Sequence, residues 1–211
     1  VTIKKLTDIN FCITVYGEMT PSARKEQLMP IAAERETRNS TPITPPVLLG
    51  SWLVDPQASH ARFLAGAFVG LVQTPGRFRS LSGELVVGPA HAVGALAIDA
   101  SSIDTGNRMR DRHLRSRGFF HVKRYPEVRY EVHSISSHDP GRGRIEGELL
   151  VAGTRTPIPL DVTLHAPTEG VIELACRTEV DRVAVGVRGS RGMVPRAVQL
   201  EITVTLRRAI A

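Results

Sequence analysis

The sequence predicts an all-β protein, an antiparallel barrel or sandwich of eight or more strands carrying one short helix. Three observations point there. Apolar and polar residues alternate with period two through several runs, the mark of half-buried strands. Gly (18) and Pro (14) are plentiful while aromatics are only 5%, which favours many short elements joined by turns. No long helical pattern separates the strands, so their connections read as hairpins and the sheet as a meander. A length of 211 residues allows one such domain with an appendage, and 42% hydrophobic with 23% charged residues is ordinary for a water-soluble chain.

Along the chain, residues 1–46 stand apart. A charged patch around Ser22 to Glu36 gives way to a Ser/Thr/Pro tract ending in Pro45-Pro46, which reads as an extension and linker with poor order. The barrel domain is expected over 47–211. Its first strands are expected at Trp52 to Val54, Ala61 to Leu64, Phe68 to Val72, Leu81 to Val87 and Val93 to Ala100. Val128, Tyr130 and Val132 then alternate with Arg129, Glu131 and His133, and Ile145 to Val151 repeats the pattern after the Asp139-Pro140-Gly141 turn. Ile158, Leu160, Val162 and Leu164 form the clearest alternation, Val171 to Cys176 a looser one, and Val198 to Leu206 the last. Closing such a sheet removes the exposed edges that invite aggregation. The inside is then either filled by side chains or left open for a small ligand. Mostly Val, Ala, Gly, Leu and Ile point inward, and so few rings favour unfilled space.

Alternation stops over Ser101 to Phe120. Asp104 or Thr105 is expected to cap a short helix lying against the barrel, with Met109 and Leu114 inward and Gly118 ending it. From Arg108 to Arg124 there are seven basic residues against one acid, Asp111, a balance equal to the +6 of the whole chain. Three readings of this stripe stay open: a solvated surface, an arginine site for an anionic head group at a barrel mouth, and a contact to nucleic-acid phosphates. The last is disfavoured because Phe119 and Phe120 are adjacent and not spread along a strand face for stacking bases.

Other classes find little support. No run of about 18 apolar residues crosses a membrane. The stretch after Lys4-Lys5 is interrupted by Asp8 and Asn10 and lacks a small-residue cleavage site, so the cytoplasm is the expected compartment. Cys12 and Cys176 make no disulfide framework and fit no metal motif, and Cys176 reads as a small core residue. There is no G-x-S-x-G, no phosphate-binding G-x-x-x-x-G-K-[ST] and no H-E-x-x-H. The seven histidines are scattered, with His133 and His165 outward and His91 in a turn. Asp111 and His113 lie two apart, on different faces of a helix. No enzyme, cofactor or metal is called for.

One resemblance sharpens this. Ser102-Ile103-Asp104-Thr105-Gly106-Asn107, then Arg110-Asp111-Arg112-His113-Leu114-Arg115-Ser116, then Phe119-Phe120 and Tyr125-Pro126 are similar in order and spacing to the signature of the YceI-like family. Flanking matches include Trp52 with Asp55-Pro56, Gly76-Arg77-Phe78, Gly147 with Leu149, and Arg182 with Gly186. The resemblance runs from about Leu49 to Leu206. It departs at Ala58-Ser59, where the family has His-Ser and this chain has His60 displaced by one. It implies an eight-stranded lipocalin-like barrel that binds a polyisoprenoid or similar long-chain lipid without catalysis. On that reading Phe63, Phe68, Phe78, Ile98, Phe119, Tyr130 and Leu149 are candidate lining, and Arg110, Arg112 and Arg115 candidate head-group contacts. Transient membrane contact and a homodimer are left open. The competing reading is a filled, basic barrel that binds nucleic acid or an anionic membrane surface. A third is a hydrolase or isomerase with Asp111 as its acid or base.

Overall fold

The computed structural model of the chain describes residues 48–67, 72–189 and 194–209. The expected extension over 1–46, Cys12 and Phe68 lie outside the described residues. Twelve strands and one helix follow in order: β1 Gly50–Val54, β2 His60–Ala67, β3 Val72–Phe78, β4 Leu81–Val87, β5 Ala92–Asp99, β6 Ile103–Asp104, α1 Arg108–Leu114, β7 Glu127–Asp139, β8 Arg142–Val151, β9 Thr154–Pro157, β10 Leu160–Thr168, β11 Val171–Asp181 and β12 Ala197–Arg208. No helix among the described residues is long and apolar enough to cross a membrane.

Eight strands, β1, β4, β5, β7, β8, β10, β11 and β12, form an antiparallel ring that closes where β1 meets β12. From β4 to β12 this is the expected meander. The start differs: β2, β3 and β6 leave the ring as a branch. Residues 198–203 of β12 pair with β2, and residues 206–208 of the same edge pair with β1. The break between β1 and β2 is the turn from Asp55, where Pro56 cannot donate to a ladder. The Asp55 carboxylate accepts the Gln57 and Ala58 N–H groups and the Arg207 guanidinium, which holds its pKa below the ordinary range. Ser59 is buried and its hydroxyl accepts the Thr205 N–H, fastening the turn to β12.

The strand expected over Phe68 to Val72 lies outside the described residues except for Val72, where β3 begins and runs to Phe78 across Pro75 and Gly76. β3 pairs with β6 only at Arg77 and Phe78, so Pro75 sits where the neighbouring edge is unpaired and its missing N–H costs no ladder bond. Ile158 and Pro159 fall between β9 and β10, since Pro159 has no donor. The hairpin from β8 to β9 turns on Ala152 and Gly153, both with positive φ, the geometry of a tight two-residue loop.

Alternation places one face of each strand inside. Two apolar clusters result. One gathers round Trp52, whose indole N–H donates to the Leu48 carbonyl at 2.7 Å and whose ring lies under the Arg208 guanidinium. The other gathers round Ile98, Phe119, Val128 and Val187. Leu96, Leu149 and Ile202 pack against both.

The helix is present and short, with different ends. Asn107 is its cap, its side chain accepting from the Met109 and Arg110 N–H groups. Asp104 is unavailable because it receives Arg77 and Arg79, and Thr105 is bound to Asp111. The helix stops at Leu114 with Arg115 as its end residue, before Gly118. Met109, expected inward, is 80% exposed. In so short a helix Asp111 and Leu114 share the inward face, and Met109 projects nearly opposite Asp111.

Candidate functional site

The ring, with its branch of β2, β3 and β6 and the segment after α1, encloses two adjoining hollows. An upper one of about 120 Å³ lies among Leu85, Tyr130, Ile145, Leu174 and Leu206, and a lower one of about 170 Å³ among Phe63, Phe78, Phe119, Val128 and Val187. Ile98, Leu149, Val180, Leu200 and Ile202 line both, forming a waist between the two. The walls are almost wholly apolar. Larger depressions on the outer sheet face, such as one of about 750 Å³ beside Arg144 and Asp161, are open and crossed by ion pairs.

Two buried polar side chains of the hollows, Tyr130 and Arg182, are engaged. The Tyr130 hydroxyl donates to the Ile158 carbonyl at 2.8 Å, and burial pushes its pKa above the usual range. Burial does the same to the Cys176 thiol. Arg182 is buried at the lower wall, where its guanidinium donates to the carbonyls of Val187, Gly189, Val194 and Pro195. It ties together the segment between β11 and β12. Glu84 and Arg62, which also touch the hollows, are exposed. This is an interior built to exclude water from hydrocarbon. A buried thiol and phenol with raised pKa values stay protonated at neutral pH.

Of the expected lining, Phe63, Phe78 and Phe119 face the lower hollow, Tyr130 the upper, and Ile98 and Leu149 both. Phe63, Phe78 and Phe120 pack ring against ring, with centroids 5.9 and 5.7 Å apart. These rings are thus occupied with one another, leaving no spread of exposed rings for bases. Gly76 permits this: a Cβ there would fall 2.2 Å from the Phe63 ring. The waist residues Val180, Leu200 and Ile202 were not singled out beforehand, although Leu200 and Ile202 stand in phase in the alternation of β12.

The three arginines expected at a head group are not gathered into one fork. The Arg110 guanidinium donates to the Thr105 hydroxyl and carbonyl at 2.8 Å each. Arg115 donates to the Ser101 and Ile103 carbonyls. Arg112 is exposed and makes no hydrogen bond to the described residues. None of the three lines a hollow. Asp111 is buried and accepts the Thr105 N–H at 2.9 Å and hydroxyl at 2.6 Å, a lock between helix and loop. His113 is exposed, edge-on to Phe119.

The model of the YceI-like domain matches residues 52–206. The chain belongs to the YceI-like family. Curated relatives include UPF0312 proteins of Vibrio cholerae, 24% identical over 114 residues, and of Shewanella baltica, 24% identical over 123 residues. These matches cover 52% and 56% of this chain, and 60% and 63% of the relatives' own length. Among solved structures, BcnA of Burkholderia cenocepacia aligns at TM-score 0.65 and 21% identity, covering 72% of this chain and 98% of BcnA. A polyisoprenoid binding domain from Saccharophagus degradans, implicated in plant cell wall breakdown, aligns at TM-score 0.65 and 16% identity, covering 75% of this chain and 98% of that domain. The YceI protein of Campylobacter jejuni aligns at TM-score 0.60 and 23% identity, covering 66% and 88%. At such identities these likenesses speak for the YceI-like fold alone.

Proposed function

We propose that this chain binds a long-chain apolar lipid, of polyisoprenoid or similar chemistry, inside the barrel and carries or sequesters it without transforming it. The observation that carries the reading is the pair of adjoining apolar hollows joined at one waist. Members of the YceI-like family are non-catalytic lipid-binding proteins, and the relative from Saccharophagus degradans is described as binding polyisoprenoid. At roughly 30 Å³ per water-sized group the hollows seat about ten such groups. At ~0.8 kcal/mol per buried methylene, ten contribute on the order of 8 kcal/mol before ordering costs. The tail therefore dominates affinity, and a ligand with a longer tail keeps the rest outside the described hollows or moves the waist.

Lipid mass spectrometry of the protein as expressed, followed by uptake of added polyprenyl diphosphate, tests this reading. A long-chain species at near-equimolar amount is the expected result. Repeated absence of any such species, with no uptake of the added lipid, overturns it.

A further inference from the structure

We propose that the segment from Arg108 to Arg124 is a docking surface for a bilayer bearing anionic phospholipids, an inference that rests on the carrier reading and names where the lipid is exchanged. The outer side of the segment is cationic without compensation. Arg108, Arg112, Arg117 and Lys123 are exposed, and their side chains make no hydrogen bond or ion pair with the described residues. The one acid, Asp111, is buried and turned to Thr105, so its carboxylate does not screen them at the surface. The nearby carboxylate of Asp104 is already held by Arg77 and Arg79.

Amid these cations stands Met109, 80% exposed. A flexible apolar side chain ringed by arginines suits the boundary between head groups and acyl chains. A nucleic-acid groove would want exposed rings, and of this segment's two phenylalanines Phe119 is buried and Phe120 packs edge-on to Phe78.

The inner side of the same segment is the wall of the lower hollow: Leu114, Phe119 and Phe120 all line it. A bilayer held against the outer side thus lies across a single layer of side chains from the apolar interior. Arg142, which opens β8 opposite Asp139 at the far end of β7, lines neither hollow.

The test is co-sedimentation of the full chain with vesicles of phosphatidylcholine, alone and with 30% phosphatidylglycerol. Binding is expected to the anionic vesicles only and to fall steeply as salt rises, since exposed charges are screened beyond ~10 Å at 0.1 M salt. Each cation near such a surface is worth ~5-fold in binding. Lys123→Glu should therefore weaken binding by about 5-fold or more, and the triple variant Arg108→Glu/Arg117→Glu/Lys123→Glu by at least ~100-fold, while Arg142→Glu leaves it unchanged. Met109→Asp should lower the binding that persists at high salt. Equal losses for Arg142→Glu and Lys123→Glu would show attraction by net charge alone and overturn the proposal. So would failure to bind anionic vesicles, or binding to a mixed oligonucleotide as tight as to the vesicles at the same ionic strength. Lipid content measured on vesicle-free protein reports separately on the carrier reading: docking can fail with lipid present, and lipid can be absent with docking intact.

Discussion

At the scale of single residues, arginine performs two kinds of work in this chain, and burial separates them. Arg182 is almost wholly enclosed and grips four carbonyls between Val187 and Pro195. Arg182→Met should therefore lower stability by about 3 kcal/mol or more, because several buried acceptors lose their donor at once; urea unfolding gives the midpoint. Asp104 shows the opposite sense of charge. The Gly106 N–H, with Arg79 and Arg77, holds its carboxyl down at about 2, below the ordinary range of an aspartate. A depressed carboxyl stabilises the folded state above its unfolded pKa, and the contribution disappears as pH falls through about 2. Asp104→Asn is expected to lower Tm at neutral pH, and the gap to the parent protein should close between about pH 4 and pH 2 in thermal melts. Residue chemistry of this sort was only partly legible in the sequence. Phe63 and Leu149 announce themselves as apolar residues in phase with their strands, whereas Phe78 and Phe119 are marked only by the family motifs. Apart from the Thr105 hydroxyl, the guanidinium partners of Arg110 and Arg115 are carbonyls, which every residue carries, so no pattern of residue types could mark those in advance.

At the scale of elements, α1 is seven residues long, too short to persist on intrinsic propensity. Its stability comes from Asn107 at the start, the Asp111 lock to Thr105, and Leu114 packed on the core. Asn107→Ala should cost ~1 kcal/mol and speed hydrogen exchange at the Met109 and Arg110 amides, with β7 and β8 unchanged. Strands were legible where alternation ran unbroken, as in β10 and β12. They were obscured where strand pairing overrode local signals. Pro75 and Gly76 read as breakers, yet β3 passes through both because its outer edge is unpaired there and the Phe63 ring needs the space a side chain would fill. The helix was expected from the loss of alternation, but its cap was misassigned because Asp104 and Thr105 are committed to partners distant in the pattern.

For the whole molecule, the proposed carriage of lipid rests on a hollow that costs packing energy to keep. Leu149 is at the waist, so Leu149→Trp should fill both lobes together, lower the recovered long-chain lipid at least ~10-fold, and leave the far-ultraviolet circular dichroism of the barrel unchanged. Loss of lipid with loss of fold would instead show that the waist has no room for a larger ring. The position of β12 has a temporal consequence too. It touches β11 on one side and both β1 and β2 on the other, so strands made some 150 residues earlier on the growing polypeptide wait for it before they acquire their second neighbour. Until β12 emerges from the ribosome, β1 and β2 remain without that partner, and the nascent chain has no enclosed compartment.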